Sequence, residues 1–248
     1  MSGVSKVLPL ALAVVVIGLA VFAASCGSTS TQLRIVQAIS NTTTNVDYTL
    51  NGNSLFTDVG FETTEPSSGY KGVSGGTDTF VVYPTGTTSN ALINSPLNLG
   101  SSNSYTVVLE GFVGESGNIA PAASVLTDND TAPTSGNSFI RVIDASTYSE
   151  EVFPNLDVYL VPPGTPLGSV KPNNSSPLTY GQSTGYLTVT PPSGGTLEMD
   201  ITATGAKFAQ LTEDYTVNPS GVQIRTIILI DVQGGGGFGT PIILSDLN

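Results

Sequence analysis

The sequence predicts an all-β protein built from two tandem β-sandwich domains. Three observations lead to this prediction: the composition, short segments in which apolar and polar residues alternate, and an internal repeat. Hydrophobic residues make up 39% of the 248 residues and charged residues only 10%, and the chain contains 28 glycines and 16 prolines. Because disordered chains carry fewer aliphatic residues and more charge, this composition indicates a folded chain with many turns.

The first 25 residues have the parts of an export signal. Lys6 supplies a positive charge, residues 7–24 are almost wholly apolar, and small residues lie directly before Cys26. The segment Ala23-Ala24-Ser25-Cys26 resembles the bacterial lipobox, which implies lipid transfer to the Cys26 thiol, cleavage before Cys26 and acylation of the new amino group. The alternative is an uncleaved transmembrane anchor, but no stop-transfer charges follow the apolar run.

The predicted lipid anchor also gives an expected location. We expect residues 1–25 to be the signal peptide and residues 26–31 a lipidated tether. Gly27, rather than an aspartate, follows Cys26. In an organism with two membranes, resemblance to other lipoproteins then implies the outer membrane or cell surface, with the protein facing the periplasm or the exterior.

Charge and residue usage exclude several classes of function. The net charge is −12, and the basic residues after Lys6 are scattered, so no basic patch could neutralise the phosphates of a nucleic acid. A single cysteine excludes an internal disulfide and a cysteine-based zinc site. The absence of histidine removes the commonest general base and transition-metal ligand. We therefore expect no cofactor and a protein that is not an enzyme.

The mature chain contains two copies of one unit. Five pairs of matching segments occur in the same order in both halves: Leu33–Ala38 with Ile140–Ala145, Val46–Leu50 with Leu156–Leu160, Ser74–Thr77 with Ser193–Thr196, Thr106–Leu109 with Thr226–Leu229, and Val125–Asp128 with Ile243–Asp246. Internal repeats of this kind indicate duplicated structural units. We expect a first domain over residues 32–130, a linker over 131–137 and a second domain over 138–248.

Each unit shows the pattern of about seven short strands. Tyr105, Val107 and Leu109 alternate with Thr106, Val108 and Glu110, a period of two that predicts one buried face and one wet face. The segment Ile227–Ile230 is apolar on both faces, which suits a central strand. Asn51-Gly52 directly follows a strand and predicts a type I′ hairpin. The spacing favours an immunoglobulin-like sandwich in each unit, and the repeat disfavours the alternative of one long barrel.

These segments resemble the bacterial family called domain of unknown function 4397. The features that carry the resemblance are an arginine-centred first strand ending in alanine, an aspartate-tyrosine strand, and a strand from Tyr105 to Gly111 followed by Leu126–Asp130 before Pro133. The resemblance covers most of the mature chain and is better in the first unit; in the second, Arg225 replaces the tyrosine and Asp231 the glycine. It implies a secreted or surface-bound β-sandwich and brings no activity or catalytic residues.

Three aspartates are candidate calcium ligands. Asp128, Asp130 and Asp246 offer carboxylate oxygens at matching ends of the two units, but the set of ligands and the glycine that an EF-hand loop needs are missing. Turn formation is the alternative role for these residues. Arg34 and Arg141 lie inside apolar strands, so each either emerges on a wet face or pairs with an acid such as its own unit's Asp47 or Asp157.

Asp47 and Asp157 occupy equivalent strand positions, and we expect them to fix a loop by hydrogen bonds. The sequence as a whole predicts a lipid-anchored, non-catalytic module of the cell envelope or surface, used for adhesion, glycan contact or envelope assembly. Its expected partners are the membrane, through the anchor at Cys26, and a glycan or an envelope protein. The alternative is a secreted hydrolase that uses carboxylates in a cleft between the two domains.

Overall fold

The computed structural model describes residues 30–217 and 222–246. Strands account for 47% of the structure and helices for 6%. The prediction of an all-β sandwich is confirmed, whereas its immunoglobulin-like detail stays a prediction. The export signal and Cys26 lie outside the described residues. Within those residues no helix is long and apolar enough to cross a membrane.

The first unit runs from Thr31 to Thr127. Its strands are β1 (Thr31–Gln37), β2 (Val46–Leu50), β3 (Asn53–Val59), β4 (Thr64–Glu65), β5 (Lys71–Val73), β6 (Gly76–Pro84), β7 (Ile93–Leu99), β8 (Ser104–Glu110) and β9 (Ala122–Thr127), with a 3₁₀ turn at Gly117–Ile119. Asn51 and Gly52 join β2 to β3 with φ values of 51° and 75°. Positive φ at both central residues is the type I′ geometry, so the predicted hairpin is confirmed.

As described, the second unit has a similar order, with seven strands instead of nine and with one α-helix added. Its elements are β10 (Ser138–Asp144), α1 (Thr147–Val152), β11 (Leu156–Val161), a 3₁₀ turn at Leu167–Ser169, β12 (Ser183–Val189), β13 (Thr196–Ala203), β14 (Leu211–Thr216), β15 (Gln223–Leu229) and β16 (Ile242–Ser245). The glycine-rich segment Gly234–Gly237 lies in a short loop that an antiparallel bridge between Asp231 and Phe238 closes.

Within the described ranges the strands form four sheets, two in each unit. The inner sheet of the first unit has the order β4-β1-β8-β9, with β5 also pairing with β1, and its outer sheet has the order β3-β2-β6-β7. The second unit has an inner sheet of order β12-β10-β15-β16 and an outer sheet of order β11-β13-β14. β1 pairs with β8, and β10 with β15, in parallel. The two units therefore share one inner-sheet topology.

Each unit has its own apolar core between its inner and outer sheets. In the first unit, Leu33 and Ile35 of β1 and Val107 of β8 pack with residues of the outer sheet such as Tyr48 and Phe80. Equivalent residues form the core of the second unit, among them Ile140, Val142, Val158, Met199 and Ile227. The alternation that the sequence predicts for β8 thus places every second residue of that strand in the sandwich core, and β1 shows the same pattern.

The other face of each inner sheet is buried as well, which the sequence did not predict. Val36 and Val108 of the first unit pack against Ile143 and Ile228 of the second, all fully buried. The expected wet face of β8, made of Thr106, Val108 and Glu110, instead lies against the second unit. The reason is that the two inner sheets pack face to face, so β1, β8, β10 and β15 are covered on both sides.

Candidate functional site

Asp47 and Asp157 fix turns at the ends of the outer sheets. Asp47 accepts hydrogen bonds from the backbone N–H groups of Asp58, at 2.8 Å, and Gly86, at 3.0 Å. Asp157 accepts one from the backbone N–H of Gly205, also at 3.0 Å. The two carboxylates therefore have the loop-fixing role that the sequence predicts.

Arg34 and Arg141 pair crosswise between the two units. The guanidinium of Arg34 binds the carboxylate of Asp246, and its Nη1 donates to the Ser245 carbonyl at 2.8 Å. Arg141 Nη2 lies 2.5 Å from Asp128 Oδ1, and its Nη1 donates to the Thr127 carbonyl at 3.0 Å. The expectation of a wet face is wrong, and so are the expected partners Asp47 and Asp157. Packing of the inner sheets brings the end of each unit's last strand onto the other unit's arginine, while the aspartate of the arginine's own unit lies 3.7 Å from it.

Two threonines hold both arginines and aspartates in place. Arg34 Nε donates to Thr106 Oγ1 at 2.7 Å, and that hydroxyl donates to Asp128 Oδ2 at 2.7 Å. In the second unit, Thr226 Oγ1 accepts a hydrogen bond from Arg141 Nε at 3.1 Å and donates one to Asp246 at 2.5 Å. Each threonine thus links its own unit's arginine to its own unit's aspartate.

Two tyrosines close the arrangement. The ring of Tyr70 lies 4.8 Å from the Arg34 guanidinium, and its hydroxyl donates to Asp128 at 2.8 Å. The ring of Tyr186 lies 4.6 Å from the guanidinium of Arg141, and its hydroxyl donates to Asp246 at 2.7 Å. Burial raises the pKa of both phenols, and the charge of Asp128 adds to the rise at Tyr70. Both hydroxyls therefore stay protonated and can donate.

We call this set the arginine–aspartate network; its members are Arg34, Arg141, Asp128, Asp246, Thr106, Thr226, Tyr70 and Tyr186. The side chains of both arginines are at most 4% exposed and those of both aspartates are fully buried. Two positive and two negative charges balance, which is the condition under which buried ions are tolerated.

Two of the three candidate calcium ligands, Asp128 and Asp246, belong to this network. Both oxygens of Asp128 and of Asp246 take part in it, and Asp130 accepts a hydrogen bond from Ser104 at 3.0 Å. Across residues 30–217 and 222–246, no three His, Cys, Asp or Glu side chains are grouped to hold a metal ion. Asp128 and Asp246 thus take part in contact between the units, whereas Asp130 binds a serine of its own unit.

The Tyr70→Phe substitution should lower the free energy of unfolding by about 1 to 2 kcal/mol, because Asp128 loses a donor while the ring over Arg34 is kept. Tyr186→Phe should have a similar effect through Asp246. Urea denaturation measures the change, and Tyr83→Phe in the outer sheet is the matched control. A loss at Tyr70 no larger than the loss at Tyr83 would contradict a role for the phenol in the network.

A second polar feature lies at the opposite end of the contact between the units. An open cleft of about 590 Å³ there is lined by both units. We call it the acidic cleft and define it by Glu110, Asn118, Ser124, Glu150, Thr179, Tyr180, Gly181 and Gln182. Asn118 of the first unit donates to Glu150 of the second at 2.8 Å, so the two walls are joined directly.

Glu110 is the most deeply buried charged residue of this cleft. It lies next to Val108 on the face of β8 that contacts the second unit, and the residue is only 3% exposed. Oε1 accepts a hydrogen bond from Ser124 at 2.5 Å, whereas Oε2 has no hydrogen-bond partner in the described part of the chain. Burial raises the pKa of Glu110 to about 7; the hydrogen bond from Ser124 opposes the rise and the charge of Asp144 adds to it.

Two further acids lie behind the cleft. Asp144 accepts hydrogen bonds from Ser149 Oγ at 2.6 Å and from the Ser146 backbone N–H at 3.2 Å. Burial raises the pKa of Asp144 to about 7, against the lowering effect of these two bonds. Asp231 accepts from the backbone N–H of Thr147 at 3.1 Å, at the first turn of α1. These carboxylates hold the helix whose Glu150 lines the cleft.

Tyr180 completes the polar lining. Its hydroxyl is buried and has no hydrogen-bond partner within the described residues. Burial raises the pKa of this phenol, and the charge of Glu110 adds to the rise. A buried carboxylate oxygen and a buried phenol thus both lack partners at one cleft, although buried polar groups are ordinarily hydrogen-bonded.

Sequence reasoning did not single out Glu110 or Tyr180. A signal for Glu110 was present in the repeat, since its equivalent after Thr226–Leu229 is Ile230. An acid at a position where the other unit carries a buried isoleucine departs from the shared pattern. Tyr180 lies in a loop that the repeat does not align, so its position depends on the packing of the units.

Comparison with known protein families identifies a match. The family described as "Domain of unknown function (DUF4397)" matches residues 31–159, which include the whole first unit and the start of the second as far as β11. A search of curated proteins returns no significant match. The match spans more than half of the chain and agrees with the arginine-centred strand and the other motifs read from the sequence. The chain therefore belongs to the DUF4397 family.

Proposed function

We propose that this protein is a lipid-anchored, non-catalytic module of the cell envelope or surface, which binds a glycan or an envelope protein or serves in envelope assembly. The observation that supports this proposal best is the arginine–aspartate network. It joins two sandwiches through buried, charge-balanced contacts, and an apolar cluster continues the contact along the inner sheets. We expect a tandem pair joined in this way to move as one body.

Rigidity matters for binding because an ordered surface loses little conformational freedom when it meets a partner. The predicted anchor at Cys26 would place this body at a membrane, next to envelope glycans and proteins. The net charge of −12 supports solubility at such a surface and disfavours nucleic-acid partners.

The anchor is tested by replacing its cysteine. In a bacterial host fed with labelled palmitate, the wild-type chain should incorporate label and fractionate with membranes, whereas Cys26→Ser should incorporate none because it lacks the thiol that accepts the lipid. Ser28→Ala is the matched control and should behave like the wild type. Labelling of the Cys26→Ser variant would contradict lipidation at this residue.

The binding role is tested by a screen of residues 27–248 on glycan and protein arrays, with and without calcium. A reproducible ligand would support a binding module and give its specificity. The absence of a ligand would shift the proposal toward an envelope scaffold, which is then tested by capturing cross-linked partners from intact membranes.

A hydrolase is the second candidate, and the acidic cleft is the observation that favours it. The pKa of Glu110, about 7, lies in the range that suits a general acid. Glu150 faces the same cleft from the other unit. Incubation with chromogenic glycosides and esters tests this candidate. Turnover that is lost in Glu110→Gln would favour the hydrolase over the binding module, and no turnover of either substrate class would argue against it.

A further inference from the structure

We propose that the acidic cleft binds a small polyhydroxylated ligand that carries a primary ammonium group, of the size of an amino sugar. This inference deepens the proposed binding role and depends on it, since it names the chemical class of a ligand and the place where the ligand lies. It is based on the unpartnered buried groups, the charge of the lining residues and the size of the cleft.

The unpartnered groups indicate that a ligand completes the site. Glu110 is 3% exposed, and its Oε2 has no hydrogen-bond partner in the described part of the chain. A buried carboxylate oxygen without a donor is unfavourable, so a group that donates to it is stabilised there. The nearby Tyr180 hydroxyl is in the same condition and offers a second hydrogen bond.

The charge of the lining favours a cation as the donor. Glu110 and Glu150 face the cleft from opposite units, and none of its lining residues is a lysine or an arginine. Asp144 and Asp231 lie behind the wall, and their charges help to raise the pKa of the Tyr180 phenol. An ammonium group carries a positive charge and three donors, whereas an anionic ligand would be repelled.

The rest of the lining fits the hydroxyl groups of a sugar. Asn118, Thr179 and Gln182 supply neutral amide and hydroxyl groups, which can both donate and accept. A volume of about 590 Å³ lies within the range of about 300 to 1,000 Å³ that small-molecule sites occupy. A monosaccharide therefore fits with its ammonium group toward Glu110 and its hydroxyls toward the neutral groups.

The test compares two sugars that differ only in one group. The full chain in detergent is titrated calorimetrically with 6-amino-6-deoxyglucose and, separately, with glucose near neutral pH. We expect saturable binding of the amino sugar, at least about tenfold tighter than that of glucose. Equal binding of the two sugars, or no saturation by the amino sugar up to about 10 mM, would overturn the inference.

Substitutions locate the binding. Glu110→Gln removes the charge and keeps the shape, and it should weaken binding of the amino sugar at least about tenfold. Asp214→Asn removes an exposed carboxylate from the outer sheet of the second unit and should leave the affinity unchanged. If Glu110→Gln fails to fold, Glu150→Gln on the other wall takes its place and should also weaken binding. Affinity that is unchanged in these cleft variants would overturn the assignment of the site.

The two proposals fail in different ways. If the amino sugar does not bind but the array finds a partner, the inference about the cleft is wrong and the envelope module stands. If the amino sugar binds and is also chemically converted, the site is confirmed as a ligand site and the non-catalytic function is wrong.

Discussion

Replacing Arg34 with methionine is expected to lower the free energy of unfolding by about 3 to 5 kcal/mol. The side chain of Asp246 is fully buried beside this guanidinium, and the substitution leaves its charge without its closest cation. Arg141 Nη2 is 3.7 Å from the same carboxylate and is already engaged by Asp128, so it cannot replace the lost contact. Chemical denaturation of the purified chain measures the loss.

Arg141→Met should have a comparable effect, because Asp128 is as deeply buried as Asp246. Lys171→Met is the matched control: this exposed residue lies outside the network, and its loss should change stability by less than about 0.5 kcal/mol. Adding Asp246→Asn to Arg34→Met should recover part of the loss, because the uncompensated charge is then gone. Single substitutions that cost no more than the control would contradict the assigned role of the pairs.

Removing the carboxylate of Glu110 is expected to change how stability depends on pH. The pKa of Glu110 is 4.5 in the unfolded chain and about 7 in the folded one. The folded state therefore holds this proton more tightly, which stabilises it fully below about pH 4.5, and this contribution is lost as the pH rises through about 7. The difference between the two pKa values corresponds to about 3 kcal/mol.

Glu110→Gln cannot lose this proton, so its stability relative to the wild type should rise by up to about 3 kcal/mol between pH 4.5 and pH 8. Urea denaturation of both proteins across this range gives the difference between their free energies of unfolding at each pH. Groups that are the same in both proteins titrate alike, so their contributions cancel in this difference. Asp144→Asn is the companion variant, since burial also raises the pKa of Asp144 to about 7. Parallel stability curves for wild type and Glu110→Gln would show that Glu110 titrates normally.

Local features of the fold could be predicted from the sequence. Alternation of apolar residues placed the core face of β8 correctly, and Asn51-Gly52 predicted its hairpin, because both signals depend on neighbouring residues. The repeat indicated two copies of one unit, and the inner sheets of the two units have matching strand orders. The family also followed from these segments.

What covers the second face of a strand could not be predicted in the same way. Thr106 and Glu110 are polar, so their face was expected to be wet, although a second unit buries it. Ser245 and Asp246, which bind the Arg34 guanidinium from the second unit, lie more than two hundred positions away in sequence, and no local pattern connects them to it. The matching aspartates at the ends of the two repeats were visible, but only the packing of the units shows which arginine each one binds.

The crosswise pairs have a consequence for how such a molecule can vary. Each unit offers an arginine and an aspartate to the other, which is the reciprocal arrangement of an isologous homodimer, here contained in one polypeptide. In a true homodimer every residue of the contact occurs twice. Within a single chain the two copies can differ, so Glu110 faces the second unit while its counterpart Ile230 remains apolar. Covalent linkage of the two copies thus permits a contact that is symmetric at one end and carries a single acidic cleft at the other.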